Sequence, residues 1–368
     1  MKVVIPLGEL QRKMNAISTV VPGKTTMPIL ATVLINADDE GLHFSATDLD
    51  ISVTSKVKGK IEEKGSIAIP AKKIAEIVKS LSGEDVTMGV VEGKLTLVCE
   101  KSQFSINGRN PEDFPKIPKQ ESKTSFSFDP DHLGSLIQKT IYAVSTDLTR
   151  PALCGVLWEV NQKGVAMIST DGHRLAKVEL AMEVGEVERM NVIVPPKALS
   201  TLKSFSEGEK EIPVSIGENS ISFEMVETSI YSRLLEGPFP NYKKVIPANN
   251  KKELVVDRAK LADATKRVAI LADALTHQVI FSVGKNSLTL HVNTQDLGEA
   301  KEEIEASFSE EPMDIGYNAA YILDIMRTID ADEVSILLDR PDNAGMVTPV
   351  PESGDFKHMC IIMPLRIS

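Results

Sequence analysis

The chain has 368 residues, 42% of them apolar, and 41 Lys and Arg against 52 Asp and Glu leave a formal net charge of −11 at pH 7. That length holds three ordinary domains with a core each, and that charge argues against gripping nucleic acid by bulk electrostatics, which needs clustered cations. A 5% aromatic content with one tryptophan, Trp158, argues against base-stacking platforms, and no apolar run approaches the ~18 residues of a membrane span.

In chain order, an apolar strand with a helical start covers Val3 to Leu10, and Leu7, Leu10, Met14 and Ile17 then recur at helical spacing with Arg12 nearly opposite. Short alternating strands follow over Gly41 to Lys56, passing a corner at Ala46-Thr47-Asp48. A second helix opens at Ile69-Pro70-Ala71-Lys72-Lys73-Ile74, where proline loses nothing because first-turn NH groups have no partner. Its stripe is Ile74, Ile77, Val78 and Leu81, with Lys72 and Lys79 behind it. Strands over Asp85 to Cys99 and Gln103 to Asn107 lead to an exit at Phe114-Pro115 and Ile117-Pro118.

The same order then repeats. A strand with a helical start recurs over Phe126 to Leu133 and Leu254 to Leu261, so that Leu10, Leu133 and Leu261 stand 123 and 128 apart. The corner recurs at Ser169-Thr170-Asp171 and Asn293-Thr294-Gln295, and the second helix at Val194-Pro195-Pro196-Lys197-Ala198-Leu199 and Tyr317-Asn318-Ala319-Ala320-Tyr321-Ile322. A second exit, Phe239-Pro240 with Ile246-Pro247, follows the first by 125 residues. A period of roughly 125 residues predicts an α+β fold of three repeated domains over 1–120, 124–248 and 251–368, each with two helices and antiparallel sheets.

Projected on their helices, Arg12, Lys72, Lys79, Lys197, Lys266 and Arg327 fall away from the apolar stripes, and the third helix offers Gln138 and Lys139. Two readings stand: a functional basic surface, or the ordinary wet face of helices that also carry Glu76, Asp263 and Asp324. No phosphate-binding glycine loop, dinucleotide fingerprint, His-Glu-x-x-His or Gly-x-Ser-x-Gly occurs. Cys99, Cys154 and Cys360 are widely separated and read as reduced core thiols, without a disulfide or zinc spacing. His43, His132, His277, His291 and His358 are isolated. Only Ser169-Thr170-Asp171-Gly172-His173-Arg174 resembles a catalytic site, with His173 as a base oriented by Asp171. It lies at the repeat's corner, where Asp-Gly makes a turn between strands, and no nucleophile accompanies it.

Thr170-Asp171-Gly172-His173-Arg174-Leu175-Ala176, with Met363-Pro364-Leu365-Arg366-Ile367, strongly resembles the bacterial DNA polymerase III beta subunit family, the sliding clamps. The likeness runs through Met1 to Val21, Met27-Pro28-Ile29-Leu30, Asn110-Pro111-Glu112-Asp113-Phe114-Pro115, Phe239-Pro240-Asn241-Tyr242 and Leu297-Gly298-Glu299-Ala300. The resemblance implies a non-enzymatic cytoplasmic processivity factor that needs no cofactor or metal and does not meet the membrane. In the family, two three-domain protomers pair head to tail in a closed ring around duplex DNA, held without sequence specificity.

Residue by residue, it implies a DNA-facing set of Arg12, Lys24, Lys72, Lys73, Lys197, Lys266 and Arg327. It implies a cleft for peptide motifs of the replicative polymerase, clamp loader, ligase and mismatch-repair proteins. The matching positions are Leu153, Thr170, Gly172, His173, Arg174, Leu175, Pro240, Lys244, Val245, Ile361, Met363, Pro364, Leu365 and Arg366. The homodimer interface falls on Phe104, Ile106, Ile270 and Leu271. This chain departs from the family pattern at Lys244, at Leu365 and in its ending Arg366-Ile367-Ser368. A rival reading of another class is a repeat-built interaction scaffold that does not encircle DNA, distinguished by indifference to DNA topology.

Overall fold

The computed structural model describes residues 1–117, 124–185, 187, 189–352 and 354–367; Pro118 of the first exit and the terminal Ser368 lie outside them. Six α-helices are present among the described residues: α1 (Leu7–Ser18), α2 (Ala71–Ser80), α3 (Pro130–Gln138), α4 (Pro196–Phe205), α5 (Arg258–Val268) and α6 (Ala319–Thr328). Each starts where an apolar strand gives way to helical spacing. Pro70 caps α2, Pro196 is the first residue of α4, and the Asn318 side chain accepts from the amides of Ala320 and Tyr321 to cap α6. The three corners end the strands Leu42–Thr47, Gly164–Thr170 and Ser287–Thr294, as the repeat predicts.

The strands form antiparallel sheets of five, eight and twelve. The chain packs as two units, Met1–Leu133 with Val194–Leu234, and Gly134–Ile193 with Leu235–Ser368, so packing cuts through the second sequence repeat. The physical reason is that sheets run across repeat boundaries. In the first unit Thr228–Arg233 of the second repeat pairs with Ile51–Val57 of the first, Thr228 opposite Ser55 and Ile230 opposite Val53. In the second unit Arg174–Ala181 pairs with Phe356–Ile362 of the third repeat, Leu175 opposite Ile361. Each pairing satisfies backbone groups that an isolated repeat would leave on a bare edge.

In the first unit, α1 buries Leu7, Leu10, Met14 and Ile17, and α2 buries Ile74 and Val78. In the second, α5 and α6 cover a core that includes Leu261, Val268, Phe281, Ile322 and Ile325, joined by Ala143 and Ala176 of the second repeat. Lys139 departs from the wet-face expectation, and Lys13, to which it does not extend, is buried too. Lys139 is buried, with its ammonium on the Thr328 carbonyl (3.2 Å) and paired with Asp330, because the third repeat covers the end of α3. Lys13 is 2% exposed; three residues from Leu10 and four from Ile17, it shares their face rather than that of Arg12.

Of the cysteines, Cys99 and Cys360 are buried free thiols, and burial pushes Cys360 up to about 12; Cys154 is only half-buried, a correction to its reading as a core thiol. His358 is buried and burial, aided by the charge of Lys139, lowers its pKa to about 4, so it is a neutral core histidine near pH 7.

The Lys13 ammonium donates to Ser55 Oγ and Glu227 Oε2, both at 2.9 Å, while Lys58 and Arg12 reach the same carboxylate at 3.2 and 3.3 Å. Glu227 precedes the strand that crosses the repeat boundary, so this cluster clasps the junction. Burial pushes the Glu227 pKa up, but hydrogen bonds and charge from Lys13 and Lys58 outweigh it and bring it to about 2. Its folded pKa lies below the ordinary 4.5, so its stabilisation is present above that value and is lost as pH falls toward 2. We expect Glu227→Gln to lose on the order of 2 kcal/mol of stability at pH 7, allowing for part exposure. Urea denaturation should show the deficit shrinking as pH falls from 4.5 toward 2.

Candidate functional site

Of the expected cleft positions, Thr170, Gly172, His173, Arg174 and Leu175 lie at the turn between Gly164–Thr170 and Arg174–Ala181 in the second unit, and Ile361 and Met363 pair with it. Thr170 Oγ1 donates to the Arg174 carbonyl (2.6 Å) and accepts from the Gly172 amide (3.1 Å). Asp171 Oδ1 accepts from the amides of His173 (2.8 Å) and Arg174 (3.0 Å). Gly172 sits at φ +95°, open to glycine and strained for other residues. Asp171 is thus spent on backbone amides, and does not orient the His173 ring; the turn supplies no activated base.

The carboxyl-terminal segment meets this turn. Strand Phe356–Ile362 pairs Ile362 with Arg174, and the Met363 amide donates to the His173 carbonyl at 2.8 Å. Beyond it the Leu365 amide donates to the Gly316 carbonyl (2.7 Å) and Gln278 Nε2 to the Arg366 carbonyl (2.9 Å). A Cβ on Gly316 would stand 2.8 Å from the Leu365 carbonyl oxygen, so only glycine lets the tail lie so close.

Burial divides the set. Leu153, Leu175 and Ile361 are buried; Leu175 and Ile361 share an apolar cluster with Leu157, Ile168, Ile193 and Tyr242, against which Phe239 and Ile246 pack. These form a floor. His173, Gly172, Pro240, Lys244, Val245, Met363 and Arg366 are exposed, and Thr170, Pro364 and Leu365 half-buried, so these form the accessible surface. Exposure of large apolar side chains, 55% for Val245 and 42% for Met363, marks it as a contact surface.

Arg174 belongs to neither group. Its guanidinium donates from Nε to Asp171 Oδ2 (3.1 Å), from Nη1 to Asp324 Oδ2 (2.7 Å) and from Nη2 to the Tyr142 carbonyl (2.8 Å). It also lies over the rings of Tyr321 and Tyr142, 4.4 and 5.2 Å from their centroids. Burial disfavours its charge, but hydrogen bonding to Asp324 and the charges of Asp171 and Asp324 outweigh burial and raise its pKa. Sequence offered no signal for this arrangement, since Asp324 is 150 residues away.

The basic positions are not equivalent. In the first unit Arg12, Lys72 and Lys79 line an open groove of about 810 Å³ between α1 and α2. Lys24 and Lys72, with Arg109, line an adjoining hollow of about 520 Å³ whose described walls hold no carboxylate. Arg109 escaped the sequence reading because it lies on no helix, and no helical projection reaches it. Lys73 pairs with Glu76 at 2.9 Å, Arg12 with Glu9 at 2.9 Å, and Lys197 is held by Asp48 and the Val20 carbonyl. In the second unit Lys266 is exposed, and Arg327 is exposed with Nη1 3.3 Å from Asp324 Oδ1. Phe104 and Ile106 are half-buried on Ser102–Asn107; Ile270 is 76% exposed and Leu271 half-buried, on the 3₁₀ turn Ala269–Leu271 that follows α5.

Three family models, describing the N-terminal, central and C-terminal domains of the DNA polymerase III beta subunit, match residues 1–118, 127–241 and 243–366. A beta sliding clamp of Caulobacter vibrioides is 32% identical over 375 positions, covering 100% of both chains. The chain belongs to the DNA polymerase III beta subunit family. A beta sliding clamp of Chlamydia pneumoniae is 31% identical over 100% of this chain and 99% of its own length. The crystal structure of the Pseudomonas aeruginosa sliding clamp bound to griselimycin superposes with a TM-score of 0.92 at 28% identity, covering both chains completely. The chain is therefore a DNA sliding clamp, a replication processivity factor and not an enzyme, which accounts for an Asp-His turn without a nucleophile. Among the described residues no helix is long and apolar enough to cross a membrane, and no group of His, Cys, Asp and Glu is arranged to hold a metal ion.

Replacing Arg174 strands two carboxylates and two aromatic faces. We expect Arg174→Ala to cost roughly 3 kcal/mol or more in denaturant melts. Arg174→Lys should recover less than half of that, since an ammonium cannot reproduce the planar fork.

Proposed function

We propose that two copies of this chain pair head to tail into a closed cytoplasmic ring that encircles duplex DNA, and that the turn around His173 and Met363 receives peptide motifs of the polymerase, clamp loader and other clamp-binding proteins. The observation that carries the ring is an edge strand in the first unit and an incompletely paired strand in the second. Among the described residues, strand Ser102–Asn107 pairs only with Lys94–Cys99, and Gly298–Ser307 pairs along its length with Ser287–Thr294 but meets Lys252–Asp257 only through Ala306 and Ser307. The first edge carries no charged residue and presents Phe104 and Ile106, so it lacks the guards that keep free edges apart. One such strand on each unit, the second beside Ile270 and Leu271, suits a heterologous contact that closes after two copies.

Three clamp domains per chain give the ring six. Its grip on DNA is topological: a threaded duplex cannot leave sideways, so weak phosphate contacts suffice, and these carry no sequence information. Lys24, Lys72 and Arg109 would supply the principal contacts, with Lys73, Lys266, Arg327 and Arg12 as exposed contributors. Lys197 has its charge already matched by Asp48 and contributes least.

At the cleft, the buried floor of Leu153, Leu175 and Ile361 supports an adaptable rim in which Val245, Pro240, Pro364, Leu365 and Met363 offer apolar contact. His173, Thr170, Lys244, Arg366 and the Gly172 backbone fix orientation. The Pseudomonas aeruginosa clamp binds griselimycin, and on the present reading griselimycin would occupy this surface in this chain, which makes it the test ligand.

The ring reading is tested by loading labelled protein on nicked circular DNA with a clamp loader and ATP, then isolating the complex in high salt. Retention on circles with release after linearisation is expected, and Ile270→Ala with Leu271→Ala should be monomeric by light scattering and not retained. Equal behaviour of intact protein on both DNAs, given a loader proven active, would favour the scaffold. In fluorescence anisotropy with a short duplex, the combined Lys24→Gln, Lys72→Gln and Arg109→Gln change should flatten the slope of log affinity against log salt by about 0.9 per lost contact. Lys197→Gln should leave the slope nearly unchanged.

A further inference from the structure

Asp324 divides its two oxygens between arginines of opposite character. Oδ2 takes Arg174 Nη1 at 2.7 Å, and that side chain is 10% exposed; Oδ1 takes Arg327 Nη1 at 3.3 Å, and that side chain is 75% exposed. Arg174 in turn divides itself between Asp324 and Asp171, the residue whose other oxygen pins the amides of His173 and Arg174. The His173 carbonyl then holds the Met363 amide. One unbroken line of ion pairs and hydrogen bonds, all within the second unit, therefore joins an exposed arginine of α6 to the turn and the tail.

We propose that Asp324 is a positioning residue that couples capture of a DNA phosphate by Arg327 to the setting of the peptide-binding turn. The proposal rests on the cleft and DNA-facing readings above. An exposed arginine pair exchanges readily for a phosphate. Once Arg327 turns to a phosphate, Asp324 keeps Arg174 as its partner and attracts it more strongly. The contact that yields is the longer one, Arg174 Nε to Asp171 Oδ2 at 3.1 Å. Asp171 then holds the turn less firmly, and the His173 carbonyl is less well placed for the Met363 amide. Because coupling between two binding sites is reciprocal, a ligand on the cleft must weaken phosphate capture by the same factor.

The test is calorimetric titration of griselimycin into the intact protein at low salt, with and without a saturating short blunt duplex. For the wild-type chain, duplex should weaken griselimycin binding about fivefold, at the lower end of ordinary coupling between sites. Arg327→Gln should bind griselimycin more weakly even without DNA, by the same factor, and show no further response to duplex. Asp324→Asn should likewise be indifferent to duplex. A purely structural role for Asp324 predicts lower affinity with the duplex response intact, and that result overturns the proposal. Wild-type binding indifferent to duplex, or an Arg327→Gln variant that keeps the full response, overturns it equally while leaving the cleft reading standing. Failure of griselimycin to bind at all overturns both.

Discussion

Backbone pairing across the repeat boundaries is the constraint on which the rest of the structure depends. Thr228–Arg233 joins Ile51–Val57, and Arg174–Ala181 joins Phe356–Ile362, so neither junction leaves a ladder open. A repeat built of antiparallel strands carries an edge at each end, and an unpaired edge invites association with any other chain. Here the chain closes its internal edges on itself. Ser102–Asn107 remains an edge strand and Gly298–Ser307 is paired on its second side through Ala306 and Ser307 alone among the described residues, so a second copy could add to both.

At each junction a largely enclosed cation with acidic partners reinforces the backbone ladder. Lys13 with Glu227 clasps the first, and Arg174 with Asp171 and Asp324 clasps the second, while Lys139 with Asp330 adds a further tie in the second unit. Such pairs gain little over apolar packing in net stability, but breaking one strands a charge, so they penalise misregistered docking of one repeat on the next. Arg174 illustrates the difference between lying near a site and touching its ligand. Its planar fork satisfies three acceptors and lies over two tyrosine rings, so it holds the turn in place whatever else it meets.

The net charge of −11 and a DNA-binding task are reconciled by distribution. Carboxylates such as Glu9, Glu76, Glu227 and Asp48 already match Arg12, Lys73, Lys13 and Lys197. The hollow of Lys24, Lys72 and Arg109 has no carboxylate among its described walls, so on the proposed reading a modest number of cations would suffice there. A clamp that slides needs contacts of this weak, sequence-blind kind.

The period of about 125 residues, the six helices with their apolar stripes, the threonine corners and the family motifs were legible in the sequence, because each is written in the local spacing of residue types. So was the turn at Asp171-Gly172, which follows from turn chemistry. Three things were not legible. Lys139 looked like a wet-face residue and is buried; Arg109 joins Lys24 and Lys72 across 85 and 37 residues of chain; Arg174 finds Asp324 at a separation of 150. By itself the sequence determined the repeat, its elements and its family. Which charges are buried, which are already paired and which repeat edges meet was decided only by tertiary structure, because ion pairing and burial depend on distances between segments that no local spacing encodes.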